Sequence, residues 1–161
     1  MWSKKFIIYA RSVIVSFPVC VDASVALKLV LDESDDDLAE GLWFHWQSIG
    51  AVVIAPYHFA FETTSVIRGR VYRGLLTAEM GRRALAILQA QRIQLYHPPE
   101  IIERAWGFAE RFKRPTVYDS FYLALSELTD CDLWTADRRL YNVVRHDLPW
   151  VKWLGDYRPA L

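Results

Sequence analysis

Several things that would fix the class of this 161-residue chain at once are scarce in it. It has only two cysteines, Cys20 and Cys131, each inside an apolar, strand-like run. That suits buried thiols in a reducing cytoplasm better than a disulfide-framed secreted domain. It has no excess of charge, with 19 Lys and Arg against 19 Asp and Glu. The global balance therefore announces neither nucleic acid nor a membrane surface, and any polyanion would have to be held locally. No apolar run is long enough for a membrane span. The histidines His45, His58, His97 and His146 lack metal-ligand spacing, so scattered structural or surface roles are expected of them. Neither internal repeats nor low-complexity segments occur.

What is present is apolar bulk: 53% of the residues are hydrophobic, enough for one compact core and too little chain for two comfortable domains. Residues 1–17 begin with basic and then apolar residues, as a signal peptide does. Arg11 interrupts that apolar region, however, and no small-residue cleavage site precedes the first strand. The segment reads as an N-terminal extension, poorly ordered, laid along the surface or produced by an over-early start codon. One domain, residues 18–161, follows.

Along that domain, Val19–Val21 reads as a strand ending at Asp22, and Ser24–Leu31 as a helix. Glu33, Asp35, Asp36 and Asp37 precede Leu38, Leu42, Trp43 and Trp46, which reads as the solvated, dipole-complementing start of a second helix. Gly50 stops it, and Ala51–Ala55 is a fully apolar strand of the kind buried in parallel sheets. Pro56 suits the first turn of a helix reaching Tyr72, with Phe59, Phe61, Val66 and Val71 among its apolar positions. After Gly74, Thr77 can cap a helix over 78–91, residues 92–96 read as a strand, and a helix over 100–112 follows the prolines at 98 and 99. Asp119 opens a largely apolar helix, Cys131–Thr135 is a strand, Asp137 leads back into helix, and a last strand lies within 147–153. This alternation predicts an α/β fold, a three-layer α/β/α sandwich around a mostly parallel sheet.

In such a sheet, ligands bind beyond the carboxyl ends of the strands. Asp22, Asp119 and Asp137 all fall at strand-to-helix joints or helix entrances, where each could equally be a helix cap. Capping does not explain Glu62, which stands in mid-helix among aromatic and β-branched neighbours. A buried, unpaired glutamate is costly, so Glu62 needs a cation, a shared proton, exposure or a basic partner such as Arg68 or Arg70. Four gathered carboxylates would repel one another unless a divalent ion neutralised them. Oxygen-only ligation of that kind suits Mg²⁺ or Mn²⁺, which can activate water for phosphodiester cleavage.

Four segments carry a resemblance. They are Val21-Asp22-Ala23-Ser24; Ala55-Pro56 followed by Glu62 and Arg68-Gly69-Arg70; Tyr118-Asp119-Ser120-Phe121-Tyr122-Leu123-Ala124-Leu125-Ser126; and Thr135-Ala136-Asp137-Arg138-Arg139-Leu140. In this order and spacing, from Pro18 to Trp153, the chain resembles the PIN-domain ribonucleases, and more closely the toxins of VapBC-type toxin–antitoxin pairs. The resemblance implies that Asp22, Glu62, Asp119 and Asp137 form an acidic metal-binding and catalytic set, converging at one edge of the sheet. Ser24 and Thr135 match hydroxyl positions that support ligands or water, although an N-cap and a plain strand residue are equally open readings. The leading seventeen residues and the seven tryptophans depart from the family's pattern, and Trp134, Trp150 and Trp153 are expected in the core rather than as a base-stacking platform.

The function implied is a Mg²⁺- or Mn²⁺-dependent endoribonuclease, cytoplasmic, with RNA as substrate and Arg68, Arg70 and Arg73, joined by Arg82 and Arg83, as candidates for phosphate contact. The same arginines could simply form a solvated helix face. A homodimer and a small antitoxin blocking the acidic site are implied by the resemblance alone. Rival readings are a non-catalytic PIN-fold module binding protein or RNA, and a phosphoryl-transfer fold with Asp22 as nucleophile. Ser24 stands where the haloacid-dehalogenase-like version of that fold would want a second aspartate.

Overall fold

Short apolar segments punctuated by glycine, proline and acidic joints build the architecture. The computed structural model describes residues 17–31 and 35–159. The N-terminal extension up to residue 16, and Glu33 of the acidic cluster, lie outside the described residues. The strands are β1 (Pro18–Val21), β2 (Val52–Pro56), β3 (Gln94–Tyr96), β4 (Leu133–Thr135) and β5 (Val151–Trp153). Every pairing is parallel, in the order β3-β2-β1-β4-β5. The expected mostly parallel sheet is thus parallel throughout. Strands as short as PVCV and VVIAP supply few side chains each, so the sheet is stable only when covered.

The covering helices are α1 (Ala23–Leu27), α2 (Asp36–Ser48), α3 (His58–Tyr72), α4 (Ala78–Ala90), α5 (Ile101–Arg111), α6 (Tyr118–Leu128) and α7 (Arg138–Val144). The chain steps from β1 outward to β2 and β3, then returns across the sheet to β4 and β5. With the right-handed crossovers that parallel sheets adopt, this strand order puts α1 to α4 on one face and α5 to α7 on the other, the three-layer arrangement expected from the alternation. The strand order reverses direction at β1, so a crevice opens at its carboxyl end, where Asp22 lies. Among the described residues no helix is long and apolar enough to cross a membrane.

The core runs through Cys20, Val21, Val25, Leu42, Ile54, Ile101, Leu133, Leu140 and Leu154. The helix α6 is its centre: Ser120 and every residue from Tyr122 to Ser126 are buried. Full burial of Leu123 and Leu125 there stabilises the fold by roughly 1.5–3 kcal/mol each. Gly50 ends the α2 region with φ +67°, a left-handed conformation that glycine adopts without strain. Thr77 caps α4 by accepting a hydrogen bond from the Met80 amide at 3.1 Å, as expected.

Several local expectations need correction. Pro56 closes β2, paired with Tyr96, and does not open α3. Arg92 turns left-handed after α4, so β3 begins only at Gln94. Phe61 is 74% exposed, because the buried stripe of α3 is Phe59, Thr63 and Ile67, spaced by four. Trp134 and Trp150 are half-buried and packed against the core, and Trp153, half-buried too, stacks with Tyr141.

Candidate active site

Asp22 occupies the N-cap position of α1 yet makes no capping bond. Its Oδ2 instead accepts from Thr135 Oγ1 at 2.6 Å and from Ser24 Oγ at 2.8 Å. Each hydroxyl in turn accepts from the backbone of the β4–α7 joint: the Ala136 amide donates to Ser24 Oγ at 2.9 Å and the Asp137 amide to Thr135 Oγ1 at 3.0 Å. Ser24 is therefore not an N-cap, and Thr135, fully buried, is more than a strand residue. Together they lock one buried carboxylate between two strand ends. Burial pushes the proton affinity of Asp22 up, the Asp119 charge adds to that, and the two hydroxyl bonds oppose it.

Glu62 lies one position off the buried stripe of α3, with its side chain 38% exposed. Tyr122, from the opposite face of the sheet, donates its hydroxyl to Glu62 Oε2 at 2.8 Å. Desolvation first, and then the charges of Asp22 and Asp119, push the Glu62 pKa up to about 7 against that hydrogen bond. His58, one turn earlier on α3, brings Nε2 to 3.7 Å from the same oxygen. Burial lowers the His58 pKa, partly offset by the Asp119 charge and a hydrogen bond to the Tyr118 backbone. A neutral imidazole beside a half-protonated carboxyl near pH 7 is not a salt bridge. Burial holds the Tyr122 phenol far above its usual range, so it remains a donor.

Asp119 is the second residue of α6 and not its cap, which corrects the expectation that it opens the helix. Its place in the first turn complements the helix dipole, and Arg114 Nη2 donates to its Oδ2 at 2.7 Å. Asp137 does cap: its Oδ1 accepts from the Arg139 and Leu140 amides at 2.8 and 3.2 Å. The structure thus brings Asp22, Glu62 and Asp119 within electrostatic reach of one another at the β1 crevice. The backbone of Asp137 joins them through Thr135, while its carboxylate is turned to α7. Among the described residues no group of three or more His, Cys, Asp or Glu is set closely enough to hold a metal ion.

The arginines of α3 and α4 were the candidates for phosphate contact. Arg68 lies over the Tyr72 ring at 5.9 Å, Arg73 packs against Gly69, and both are exposed, as are Arg82 and Arg83. Arg70 is half-buried on α3. It is Arg114 that meets an acid of the site.

The sequence matches the PIN domain over residues 19–145, from the second residue of β1 to the end of α7. This chain belongs to the PIN-domain family. It is 30% identical over 132 residues to VapC ribonuclease Mb0985 of Mycobacterium bovis, and equally to Ribonuclease VapC9 of Mycobacterium tuberculosis. The match spans 81% of this chain and 94% of each relative. The PIN fold and the VapC-type likeness read from the sequence are both supported. Three residues at this PIN site escaped the sequence reading: Arg114, His58 and Tyr122. The spacing of four between His58 and Glu62 on one helix was a usable signal for the second; Arg114 and Tyr122 gave none without the tertiary fold.

Proposed function

We propose that the protein is a divalent-metal-dependent endoribonuclease that hydrolyses RNA phosphodiester bonds as the toxin of a VapBC-type pair. The observation that carries this reading is the trio Asp22, Glu62 and Asp119, whose charges are gathered on chain segments from both faces of the sheet. The donor chemistry fits a hard divalent ion: every candidate ligand is a carboxylate oxygen, and a cation would relieve the mutual repulsion that the acids feel. Asp22, Glu62 and Asp119 would hold Mg²⁺ or Mn²⁺, with Asp137 contributing Oδ2, the oxygen its capping bonds leave free. Such an ion, when bound, lowers the pKa of the attacking water and offsets charge on the phosphate.

The chain's own groups do the rest. Thr135 and Ser24 fix the orientation of Asp22. Without an ion, burial keeps Glu62 partly protonated near neutrality, and a bound cation would favour its ionised, ligating form. Tyr122 holds that carboxylate in place. Arg114 balances Asp119 and has donors left for a phosphate oxygen. The names of the relatives support ribonuclease activity. A small antitoxin partner, a homodimer and a cytoplasmic location accompany the VapC-type reading.

The test is cleavage of total RNA with added Mn²⁺ or Mg²⁺ by the wild type, Asp22→Asn and Asp119→Asn. Loss of cleavage in both variants, and in the wild type with chelator, is expected. Equal cleavage by all three proteins refutes the site, and chelator-insensitive cleavage refutes the metal. The non-catalytic binding module is favoured by one observation, that Arg114 already neutralises Asp119 within the chain. Wild-type protein whose melting temperature ignores Mn²⁺ would decide for that module.

A further inference from the structure

A neutral chain with an acidic site faces a difficulty in binding RNA, because the usual affinity for the polyanion comes from phosphate neutralisation by Lys and Arg. Stacking of bases on aromatic rings does not depend on net charge. The carboxyl edge of the sheet offers such rings beside the acids. By the β1–β2 and β2–β3 registers, Asp22, Pro56 and Tyr96 stand level at the ends of three adjacent strands, with Tyr57 and His97 next in chain. At the backbone Tyr57 and His97 are therefore about one and two strand spacings, roughly 5 and 10 Å, across from Asp22.

The Tyr57 and His97 rings are stacked, with centroids 5.5 Å apart and planes at 29°. Both are exposed, Tyr57 by 55%. On the side of α6, Tyr118 is 61% exposed and its ring lies 6.0 Å from His58, itself in contact with Glu62. Exposed aromatic rings thus sit one residue from His58 in α3 and one residue from Asp119 in α6. They have no role in the core, and they flank the place where the scissile phosphate would sit.

We propose that the Tyr57–His97 stack is a nucleobase subsite, taking an unpaired base of single-stranded RNA next to the cleaved bond, with Tyr118 as a second ring on the other flank. This rests on the nuclease reading for its substrate, but its signature is separate from cleavage. Affinity comes from the bases, so binding falls only shallowly with salt and tolerates any sequence.

The experiment measures anisotropy of a fluorescent single-stranded RNA hexamer, and of an abasic hexamer with the same backbone, in chelator so that nothing is cut. It is paired with KM and kcat for cleavage in Mn²⁺. Tyr57→Ala and His97→Ala are expected to weaken binding of the base-bearing hexamer and raise KM by about 5- to 150-fold, the range set by loss of one base stack. The abasic hexamer should bind all proteins alike, kcat should stay within about twofold, and Tyr57→Phe should restore affinity. Phe44, 73% exposed on α2, is the control: Phe44→Ala should change nothing. Equal weakening for both hexamers, no weakening, or a loss confined to binding of a protein partner would overturn the proposal. Base-dependent, Tyr57-dependent binding by a wild type that cuts no RNA would uphold the subsite and refute the nuclease.

Discussion

Glu62 holds its proton to about pH 7, where an unfolded chain releases it near 4.5, so Glu62→Gln should change stability in a pH-dependent way. Below pH 4.5 the carboxyl is neutral in both states and nothing is lost. As pH rises from 4.5 to 7, the unfolded state sheds a proton that the folded state retains, and the fold loses stability steadily. Above 7 the cost is constant. At full strength the displacement would be worth about 3 kcal/mol; with the side chain 38% exposed, solvent screening leaves roughly 1–2 kcal/mol. Glutamine keeps an oxygen to accept the Tyr122 hydroxyl and cannot ionise. In chelator the variant should match the wild type near pH 4.5 and melt roughly 2–8 °C higher at pH 8. Thermal unfolding at pH steps from 4.5 to 8 reads this directly. A difference that is flat with pH, or a variant less stable than the wild type at pH 8, would refute the electrostatic account of Glu62. With Mn²⁺ present the wild type should recover the deficit, since the ion stabilises the ionised carboxylate.

Thr135→Val removes both the donor to Asp22 and the acceptor of the Asp137 amide, so it should destabilise the protein by about 2–3 kcal/mol, seen as a fall of roughly 4–12 °C in Tm; an unchanged Tm would show that Ser24 alone holds Asp22. The Arg114–Asp119 pair is partly exposed, so Arg114→Gln should cost about 1 kcal/mol or less. It should also enlarge the Tm increase produced by Mn²⁺, because Asp119 loses its competing cation. Equal increases in variant and wild type would show that Arg114 does not compete for Asp119.

The order of elements was legible because β1 and β2 are apolar runs and most helices carry their own stop or cap, as Gly50 and Thr77 do. The first helix, expected to Leu31, ends at Leu27, and Pro56 and Arg92 mark two further boundaries that moved. Proline is tolerated at the end of β2, and the turn after α4 uses a left-handed residue with no glycine to mark it. Apolar character is not burial, since the narrow buried stripe of α3 leaves the Phe61 ring outside. Glu62 was legible as an anomaly, but its partners were not. The sequence offered Arg68 and Arg70 from the same helix, and the fold supplied Tyr122 from sixty residues away.

Asp22, Asp119 and Asp137 looked alike in the sequence, each at a helix entrance, and the fold separates them by what surrounds the carboxylate. Asp137 meets free amides at the start of α7 and caps it, so its position is explained without any ligand. Asp119 lies one residue inside α6, where an arginine reaches it. Asp22 is buried at the strand-order reversal and accepts from two hydroxyls, donors that a neutral asparagine would satisfy as well. A fold that merely needed hydrogen bonding at position 22 would avoid the desolvation of a carboxylate there. Burial and the Asp119 charge instead raise the proton affinity of Asp22, so the site would favour either a proton or an arriving cation. Of the three aspartates, Asp22 is therefore the one whose chemistry points beyond the chain itself, and the one whose neutralisation by Asp22→Asn should raise metal-free stability while abolishing the response to Mn²⁺.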